Sequence, residues 1–497
     1  MFLTVFHPAL ASADLSAAHA KAIKNAIHAP APSCVTHNSK MLKIEQDQRP
    51  IYNGRPSGRT GPPITIYHQS FAKLKAALHD PTTVVDEARE NRLRNTAKLH
   101  GAATDIYESE EERCKEVIPH LERLLDINLI QKRTVQIDNR AAIAEEAVDG
   151  AETKAVIALV EFKNEFEGGG IADSRLLSGC ANILHYMRYV VLSVITLSSG
   201  HLSNYLVQYE PIRNASCCPC ITMSIAGPYI TFGGAILVDS FTVEPFTEYI
   251  FLGGDPYTEE RTALHAQIFA AASQALFDLK IYYENLKPKV TPAPYRLFPN
   301  PTYLSNKPSQ KLTFTSRFHY EGRLSDDYAR SLFRANYGEG EPEEVLVKFC
   351  EHYHADGHRK VAAAGYAPRL FFCEQILGGV TMVVMKFIDG SNSHYRFKHQ
   401  VLPPKILDDV RNAVNELHDA TLVFGDLRRP NIIIHKTSDG ERAMLVDFDW
   451  VGQDGEARYP ASLNDTGSII WPAGVKPSGI MKMEHDNEMI KNLVSGR

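Results

Sequence analysis

The most informative stretch of the chain is VFGDLRRPNIIIHKTSDGERAMLVDFDW, from Val423 to Trp450. Two β-rich runs, NIIIH from Asn431 and AMLVDF from Ala443, flank a polar segment, and this arrangement predicts a β-hairpin. In an antiparallel hairpin the start of the first strand lies beside the end of the second, so we expect Asn431 and Asp447 to meet. The loop before the hairpin carries Asp426. One amide and two carboxylates suit Mg²⁺ and leave a carboxylate to act as a base, although turn-forming residues that only cap a hairpin give the same pattern.

These residues resemble the catalytic core of protein kinases, where a loop H-R-D-L-x-x-x-N precedes a hairpin and the triplet D-F-G. In this chain Phe424-Gly425-Asp426-Leu427 stands for the loop, and Asp447-Phe448-Asp449 replaces the triplet. Upstream, VLVKF at 345–349 is similar to the strand V-A-I-K. The resemblance covers about residues 311–497 and implies a bilobal protein-kinase-like fold.

The kinase resemblance also implies a role for each matching residue. Lys348 would grip the α- and β-phosphates of ATP, and Asp426 would orient or deprotonate the acceptor hydroxyl. Asn431 and Asp447 would hold Mg²⁺ on the phosphates. Asp356 is the candidate for the acid on the helix that follows the lysine strand. The cofactors implied are therefore ATP and Mg²⁺.

A second constellation lies in the N-terminal half. The run AVIALVEFK at 155–163 predicts a central strand covered on both faces, and it ends in Glu161 and Lys163, which share one face because they are two residues apart. The preceding predicted strand, TVQID at 134–138, offers Asp138 as a second carboxylate. Such a set can hold Mg²⁺ and position a water for attack on a phosphate. A salt bridge where the strand leaves the core is the structural alternative.

The order Asp138, then Glu161-x-Lys163, then a helix resembles the PD-(D/E)xK restriction-endonuclease-like fold. The run VEFKNEFEGGG, followed by SCCPCITMSIAGPYITFGGAILVD and YYENL, is similar to fungal multidomain proteins of the Crinkler effector type that join this domain to a kinase-like one. The resemblance spans about residues 110–286. It implies Asp138 and Glu161 as metal ligands, Lys163 as a catalytic residue, and nucleic acid as a possible partner.

The organisation of the chain follows from composition and periodicity. Prolines and glycines without periodicity predict a poorly ordered leader, a turn at Gly227-Pro228 predicts a hairpin, and helices are expected over Asp173 to Leu192 and over 260–286. Six prolines between Lys287 and Gln310 predict a linker. The expected segments are a leader at 1–66, an endonuclease-like α/β domain at 67–286, a linker at 287–310 and a kinase-like domain at 311–497.

The amino-acid composition indicates a globular protein without a disulfide scaffold. The chain has 497 residues, of which 44% are apolar and 23% charged, as in ordinary globular proteins. The net charge of -6 provides no chain-wide field for nucleic acid, so contact would need a local patch such as the basic run at 89–98. Eight cysteines are too sparse for a disulfide scaffold, and Cys217, Cys218 and Cys220 lack a second Cys/His pair, so we expect buried small residues.

The apolar stretch from Pro219 to Val238 contains hairpin residues, so we expect a buried sheet and no membrane contact. The N-terminus lacks the basic residues and the long apolar run of a secretion signal, so export as an effector has weak support. We expect an intracellular protein, in the cytoplasm or the nucleus.

The sequence thus predicts an α/β and α+β multidomain protein, most simply an atypical ATP-dependent protein kinase of the Ser/Thr type that phosphorylates a protein substrate. Alternatives stay open. A G-D-L core also occurs in small-molecule kinases, the kinase-like half can be a pseudokinase that regulates a Mg²⁺-dependent nuclease, and both halves can be silent parts of an effector.

Overall fold

The computed structural model describes residues 39–48, 52–54, 59–81, 88–131, 141–148, 154–164, 210–238, 241–254, 256–300, 312–318, 331–338, 341–398, 400–467 and 469–494. The chain divides into two compact units, with the boundary between Thr302 and Tyr303. Unit 1 precedes this boundary and unit 2 follows it, and both mix helices with sheets. None of the helices in the described ranges combines the length and the apolar character that crossing a bilayer requires.

Unit 1 is built on one mixed sheet. Its described strands are β1 (Ile130–Gln131), β2 (Ala141–Ala147), β3 (Lys154–Lys163), β4 (Cys220–Ala226), β5 (Tyr229–Leu237), β6 (Phe241–Pro245) and β7 (Ile250–Phe251). They follow the order β1-β2-β3-β4-β5-β6, with β7 on β5, and β3 and β4 run parallel. The predicted central strand is β3, which is buried from Ala155 to Phe162. The predicted hairpin turn is confirmed, because Ala226 pairs with Tyr229 across Gly227 and Pro228.

The described part of unit 1 also has six helices. They are α1 (Ser39–Gln48), α2 (Gln69–His79), α3 (Arg89–Thr104), α4 (Glu110–Leu125), α5 (Glu210–Ala215) and α6 (Thr258–Glu284). The predicted amphipathic helix is α6, which packs on α2, α3 and α4 and on strands β2 and β3. Ser109 begins α4 by accepting a hydrogen bond from Glu112 N, and three glutamates in the first turn favour that end of the helix dipole. The predicted strand at 134–138 and the predicted helix from Asp173 to Leu192 lie outside the described residues.

Part of the predicted leader belongs to the core of unit 1. Tyr52 forms a parallel bridge with Thr242, and Ile64 and Ile66 are fully buried. Glu244 anchors the same segment by accepting a hydrogen bond from Ile64 N at 2.9 Å. These partners are far along the chain, so the local composition from which the leader is predicted carries no sign of them.

The first part of the predicted linker also packs on unit 1. Lys289 N donates to Pro211 O at 3.0 Å, and Ala293 N donates to Asn214 O at 2.8 Å. A short 3-10 turn follows at Pro294–Leu297. The prolines exclude a long helix or a central strand here, but they leave the remaining N–H groups free to dock this segment on α5.

Unit 2 joins a five-stranded sheet to a helical part that carries the hairpin. Its strands are β8 (Leu312–Arg317), β9 (Ser331–Tyr337), β10 (Glu343–Cys350), β11 (Leu370–Gln375), β12 (Thr381–Lys386), β13 (Gly390–Asn392), β14 (Leu422–Val423), β15 (Ile432–Thr437), β16 (Gly440–Leu445) and β17 (Gly452–Gln453). Its helices are α7 (Ala355–Ala363), α8 (Ser393–Phe397), α9 (Pro404–His418) and α10 (Met483–Val494). The sheet order is β11-β12-β10-β9-β8, all antiparallel.

The hairpin predicted near the C-terminus is β15 with β16, paired from Ile432–Leu445 to Thr437–Gly440. The strands run further into the polar segment than the sequence indicates, because only Ser438 and Asp439 form the turn. Gly440 closes this turn with a φ of 107°, a left-handed conformation that glycine adopts without strain.

A buried histidine pair joins two helices of unit 1. His100 on α3 and His265 on α6 lie with Nε2 and Nδ1 3.0 Å apart, and only 4% of His265 is exposed. Burial, together with the nearby His100 and Arg261, lowers the pKa of His265 to about 4. Burial and Arg261 also lower the pKa of His100. Both rings are therefore neutral near pH 7, and one donates its N–H to the other.

We expect unit 1 to lose stability as the pH falls from about 7 to about 5. The unfolded chain protonates His265 near pH 6.5 and the folded chain only near pH 4, so this residue alone should remove about 1–2 kcal/mol. Hydrogen exchange of the amides in α3 and α6 measures the loss in the full chain. His265→Gln should reduce the pH dependence, and His79→Gln, at the exposed end of α2, should leave it intact; equal pH dependence in both variants would refute this assignment.

Candidate functional site

Lys348 lies inside the five-stranded sheet of unit 2, where β10 pairs with Leu332 on β9 and with Val383 on β12. Its ammonium contacts Asp447 Oδ1 and lies 2.6 Å from Asp449 Oδ1. The structure therefore brings the lysine of VLVKF to the residues that follow the hairpin. Sequence reasoning named Lys348 and Asp447 but missed Asp449, whose carboxylate replaces the glycine of D-F-G.

The charged groups at this contact shift one another's pKa values. Burial alone would lower the pKa of Lys348, but the carboxylates of Asp447 and Asp449 outweigh it and raise that pKa above its ordinary value. Burial raises the pKa of Asp449 to about 7, and the like charge of Asp447 acts in the same direction while Lys348 opposes both. One ammonium thus faces two acids, of which Asp449 is only partly ionised near neutral pH.

Backbone conformation and packing fix Asp447. Its φ of 73° is in the left-handed region, which is costly for a residue with a side chain and persists only where the surroundings impose it. The next residue, Phe448, is fully buried and stacks on His358 of α7, with ring centroids 4.5 Å apart and an interplanar angle of 8°. Phe448 also meets Phe424 edge-on at 5.5 Å. The phenyl ring therefore holds the carboxylate of Asp447 toward Lys348.

Asp426 lies in the loop between β14 and β15 and is 6% exposed. Its two carboxylate oxygens are bound by Arg428, in a fork whose Nη2–Oδ2 distance is 2.7 Å. Asn431 Nδ2 donates to Asp426 Oδ2 at 2.8 Å and to its backbone carbonyl at 2.9 Å. Arg428 was not singled out from the sequence, although its place two residues after Asp426 was visible. Burial of the guanidinium lowers the pKa of Arg428, but the carboxylates of Asp426 and Asp447 outweigh this effect and raise it.

Asp486, which the sequence analysis also missed, holds this loop from α10. Its side chain is fully buried and accepts hydrogen bonds from Phe424 N at 2.7 Å and Gly425 N at 2.9 Å. His418 lies 3.1 Å from the same carboxylate. Gly425 has a φ of 79°, and a Cβ there would lie 2.2 Å from Met481, so only glycine fits. No local signal links Asp486 to the loop, because they are about sixty residues apart.

Asn431 immediately precedes β15. Val446 N donates to the backbone carbonyl of Asn431 at 3.0 Å, while the side-chain amide of Asn431 turns to Asp426. The side-chain oxygens of Asn431 and Asp447 are of the kind that Mg²⁺ prefers. The described residues hold no group of three or more His, Cys, Asp or Glu side chains placed to bind a metal ion. A Mg²⁺ ion held by Asn431 and Asp447 would therefore need its remaining ligands from another molecule.

An apolar cleft adjoins these groups. It is lined by Leu346 of β10, Met385 of β12, Phe387, Ile433 of β15 and Val446, with an accessible volume of about 50 Å³. A flat aromatic ring matches this lining in chemistry, but the volume is well below the roughly 300 Å³ of ordinary ligand pockets. A nucleotide base would therefore need the cleft to widen.

Asp356 is placed away from this cluster. It lies on α7, its side chain is 87% exposed, and it pairs with Arg359 at 2.9 Å. The kinase resemblance implied Asp356 as the acid partner of Lys348 on this helix, but the acids that contact Lys348 are Asp447 and Asp449. The reason is that α7 turns its buried face, with His358 and Val361, toward the core and leaves Asp356 in solvent.

The N-terminal candidates lie at the end of β3 in unit 1. Glu161 is fully buried, and Lys163 Nζ lies 3.6 Å from Glu110 Oε1 on α4. Burial raises the pKa of the Cys114 thiol to about 12, and Glu110 and Glu161 both contribute, so the two carboxylates are near this thiol. Glu110 was missed by the sequence analysis. Asp138 lies outside the described residues.

Two minor predictions concern unit 1. In the basic run, Arg92 donates to Leu124 O and Arg94 Nη2 donates to Asn91 Oδ1 at 2.6 Å, so part of this run has local partners. Cys217, Cys218 and Cys220 are buried free thiols, as expected. Burial raises the pKa of Cys218 to about 11, which keeps the thiol protonated near neutral pH.

Comparisons with known proteins do not assign this chain to a family. No protein-family model matches the chain, and no curated protein does. Among solved structures, the chain is similar to the kinase PK-1 of the Cydia pomonella granulovirus, at 14% identity over 34% of this chain and with a TM-score of 0.28. The match spans 65% of the length of that kinase. A likeness of this size carries no argument, so the function has to be argued from the contacts above.

Proposed function

We propose that unit 2 is a kinase-like domain that transfers the γ-phosphoryl group of ATP. The observation that supports this most is the placement of Lys348 against Asp447 and Asp449, with Asp426 and Asn431 linked to each other at the end of the same hairpin. A partly buried lysine with two acids provides charges for the phosphates of a nucleoside triphosphate, and the apolar cleft would take the base once it widens.

Each residue has a chemical task in this proposal. Lys348 binds phosphate oxygens, and Asn431 with Asp447 holds Mg²⁺, which neutralises charge on the phosphates when bound. The acceptor oxygen forms a bond to the γ-phosphorus while the bond from that phosphorus to the bridging oxygen breaks, and ADP leaves. Asp426 orients the acceptor hydroxyl and takes its proton. Arg428 and Asn431 fix the carboxylate for this role.

A serine or threonine of a protein is the acceptor that we propose. The kinase resemblance favours it, and the described residues around Asp426 leave a small-molecule hydroxyl as the alternative. A pseudokinase would keep the Lys348 cluster only as a structural ion pair. Nucleotide binding and turnover separate these possibilities.

Asp447→Ala should abolish Mg²⁺-dependent ATP binding, because it removes a metal ligand and the partner of Lys348. Isothermal titration calorimetry of the full chain with ATP, with and without Mg²⁺, measures the loss. Asp356→Ala is the matched control, since this exposed acid lies on α7 and binds Arg359. Unchanged affinity in Asp447→Ala, or an equal loss in Asp356→Ala, would contradict the assigned site.

Asp426→Ala should preserve ATP binding but lower turnover by at least about 10², because it removes the group that orients the acceptor and takes its proton. ATP consumption and phosphoryl transfer to a mixed protein substrate measure turnover, and calorimetry measures binding. Loss of both in proportion would assign Asp426 a structural role. Wild-type protein that binds Mg²⁺-ATP and turns over none of it would identify a pseudokinase.

A second candidate function concerns unit 1, which we propose to be endonuclease-like. It is favoured by the full burial of Glu161 near the end of β3, with Lys163 two residues further along the strand, since burying a carboxylate is costly and such groups cluster at functional sites. Glu161 and Asp138 would hold Mg²⁺, and Lys163 would help to position a water for attack on a phosphodiester.

Lys163→Ala should therefore remove cleavage of plasmid DNA or of RNA by the full chain in Mg²⁺ or Mn²⁺. Lys154→Ala is the control, because Lys154 is exposed at the other end of β3. Nucleic-acid binding should weaken steeply as salt rises. If neither the wild type nor either variant cleaves DNA or RNA with any of these metals, Lys163 has only the structural role of a salt bridge.

A further inference from the structure

An open groove in unit 2 lies beside the loop that carries Asp426. It has a volume of about 820 Å³ and is formed by the segment from Arg458 to Lys482 and by the first turns of α10. This volume falls in the range of binding pockets rather than packing defects. None of the residues already assigned to ATP or Mg²⁺ lines this groove, so the proposed function leaves it unexplained.

Cations dominate the surface of the groove. Arg458, Lys476 and Lys482 line it and are exposed. Among the described residues, none of the three has a carboxylate within salt-bridge distance. The lining also holds Glu484 and Glu488, of which Glu488 pairs with Lys491, so three cations outnumber two acids in the groove. A ligand with several separate negative charges would therefore be attracted to this groove.

The groove also has exposed apolar side chains. Ile470 is 65% exposed and Ile480 is 40% exposed, and both line the groove together with Trp471. Large exposed apolar residues gathered beside charges are typical of a surface that binds another molecule. A nucleic acid would meet the cations with its phosphates and stack its bases on aromatic rings, which leaves the two isoleucines uncovered. A peptide can place an apolar residue on these isoleucines and acids on the cations.

The groove is coupled to the catalytic loop through Trp471. The guanidinium carbon of Arg428 lies 5.3 Å from the centre of the Trp471 ring, and Arg428 holds the carboxylate of Asp426. Trp471 Nε1 donates to Asn464 O at 2.8 Å, which fixes the orientation of the ring. A ligand in the groove therefore lies one side chain away from the cation that binds Asp426.

From this placement, we propose that the groove binds the acceptor and selects peptides in which acidic residues and an apolar residue accompany the serine or threonine. The inference rests on the proposed phosphotransferase function and names its substrate class. Arg458, Lys476 and Lys482 recognise the acids, and Ile470 and Ile480 take the apolar side chain. Trp471 is a positioning residue between the bound peptide and Arg428.

Peptide binding without ATP provides the test, because it does not depend on phosphoryl transfer. The probe is a short labelled peptide with a serine, several glutamates and a leucine, compared with the same peptide carrying lysines and with a single-stranded oligonucleotide. Fluorescence anisotropy of the full chain measures affinity. We expect the acidic peptide to bind most tightly, and Lys476→Ala with Lys482→Ala to weaken it by about tenfold or more. Lys436→Ala, an exposed lysine on the hairpin, should leave affinity unchanged.

Two outcomes would overturn the proposal. Equal affinity for acidic and basic peptides, or binding that Lys476→Ala and Lys482→Ala leave unchanged, would exclude the groove as an acidic-peptide site. Preferential binding of the oligonucleotide would assign the cations to nucleic acid instead. In a third outcome, the wild-type protein binds the peptide, loses that binding in Lys476→Ala with Lys482→Ala, and yet fails to bind Mg²⁺-ATP. This combination would support the groove as a peptide site and refute the phosphotransferase function.

Discussion

The ammonium of Lys348 between the carboxylates of Asp447 and Asp449 is the interaction on which unit 2 depends. It ties the middle of the five-stranded sheet to the end of the hairpin across about a hundred residues of sequence. All three side chains are partly exposed, so water screens this contact and it contributes less to stability than a fully buried ion pair. On the proposed function, phosphate oxygens of ATP would replace the acids at Lys348 and Mg²⁺ would bind those acids.

The supports of this cluster come from distant parts of unit 2. Phe448 stacks on His358 of α7, and Asp486 of α10 binds the amides of Phe424 and Gly425. Burial lowers the pKa of His358 to about 4, so the ring is neutral and accepts from Tyr353 while donating to Pro368 O. His358 and Asp486 are buried polar groups with hydrogen-bond partners, and such groups specify one arrangement rather than several.

Local patterns in the sequence predicted the elements well. Alternation and turn residues gave the β15–β16 hairpin, the strand that ends in Glu161, and helix α6, because strand and helix periodicities are local properties. These local patterns did not predict the position or burial of a residue where tertiary contacts decide it. Asp356, which the kinase resemblance implied as a partner of Lys348, lies on the exposed side of its helix. The leader segment around Ile64 is buried against strands that come much later in the chain. Spacing identifies which residue types are available, and packing decides which of them meet.

The two candidate sites differ in how closely the lysine contacts its acids. In unit 2 the ammonium is within close hydrogen-bonding distance of its acids, which is the range of a strong charge-assisted bond. In unit 1 the nitrogen of Lys163 is 3.6 Å from Glu110, a looser contact, and Glu161 is buried deeper than either of these groups. The contact of Lys163 therefore contributes less to stability than the close contacts of Lys348, since the attraction between charges falls with distance and with exposure to water. The ammonium of Lys163 is also easier to move to a new partner than the ammonium of Lys348, which two acids hold.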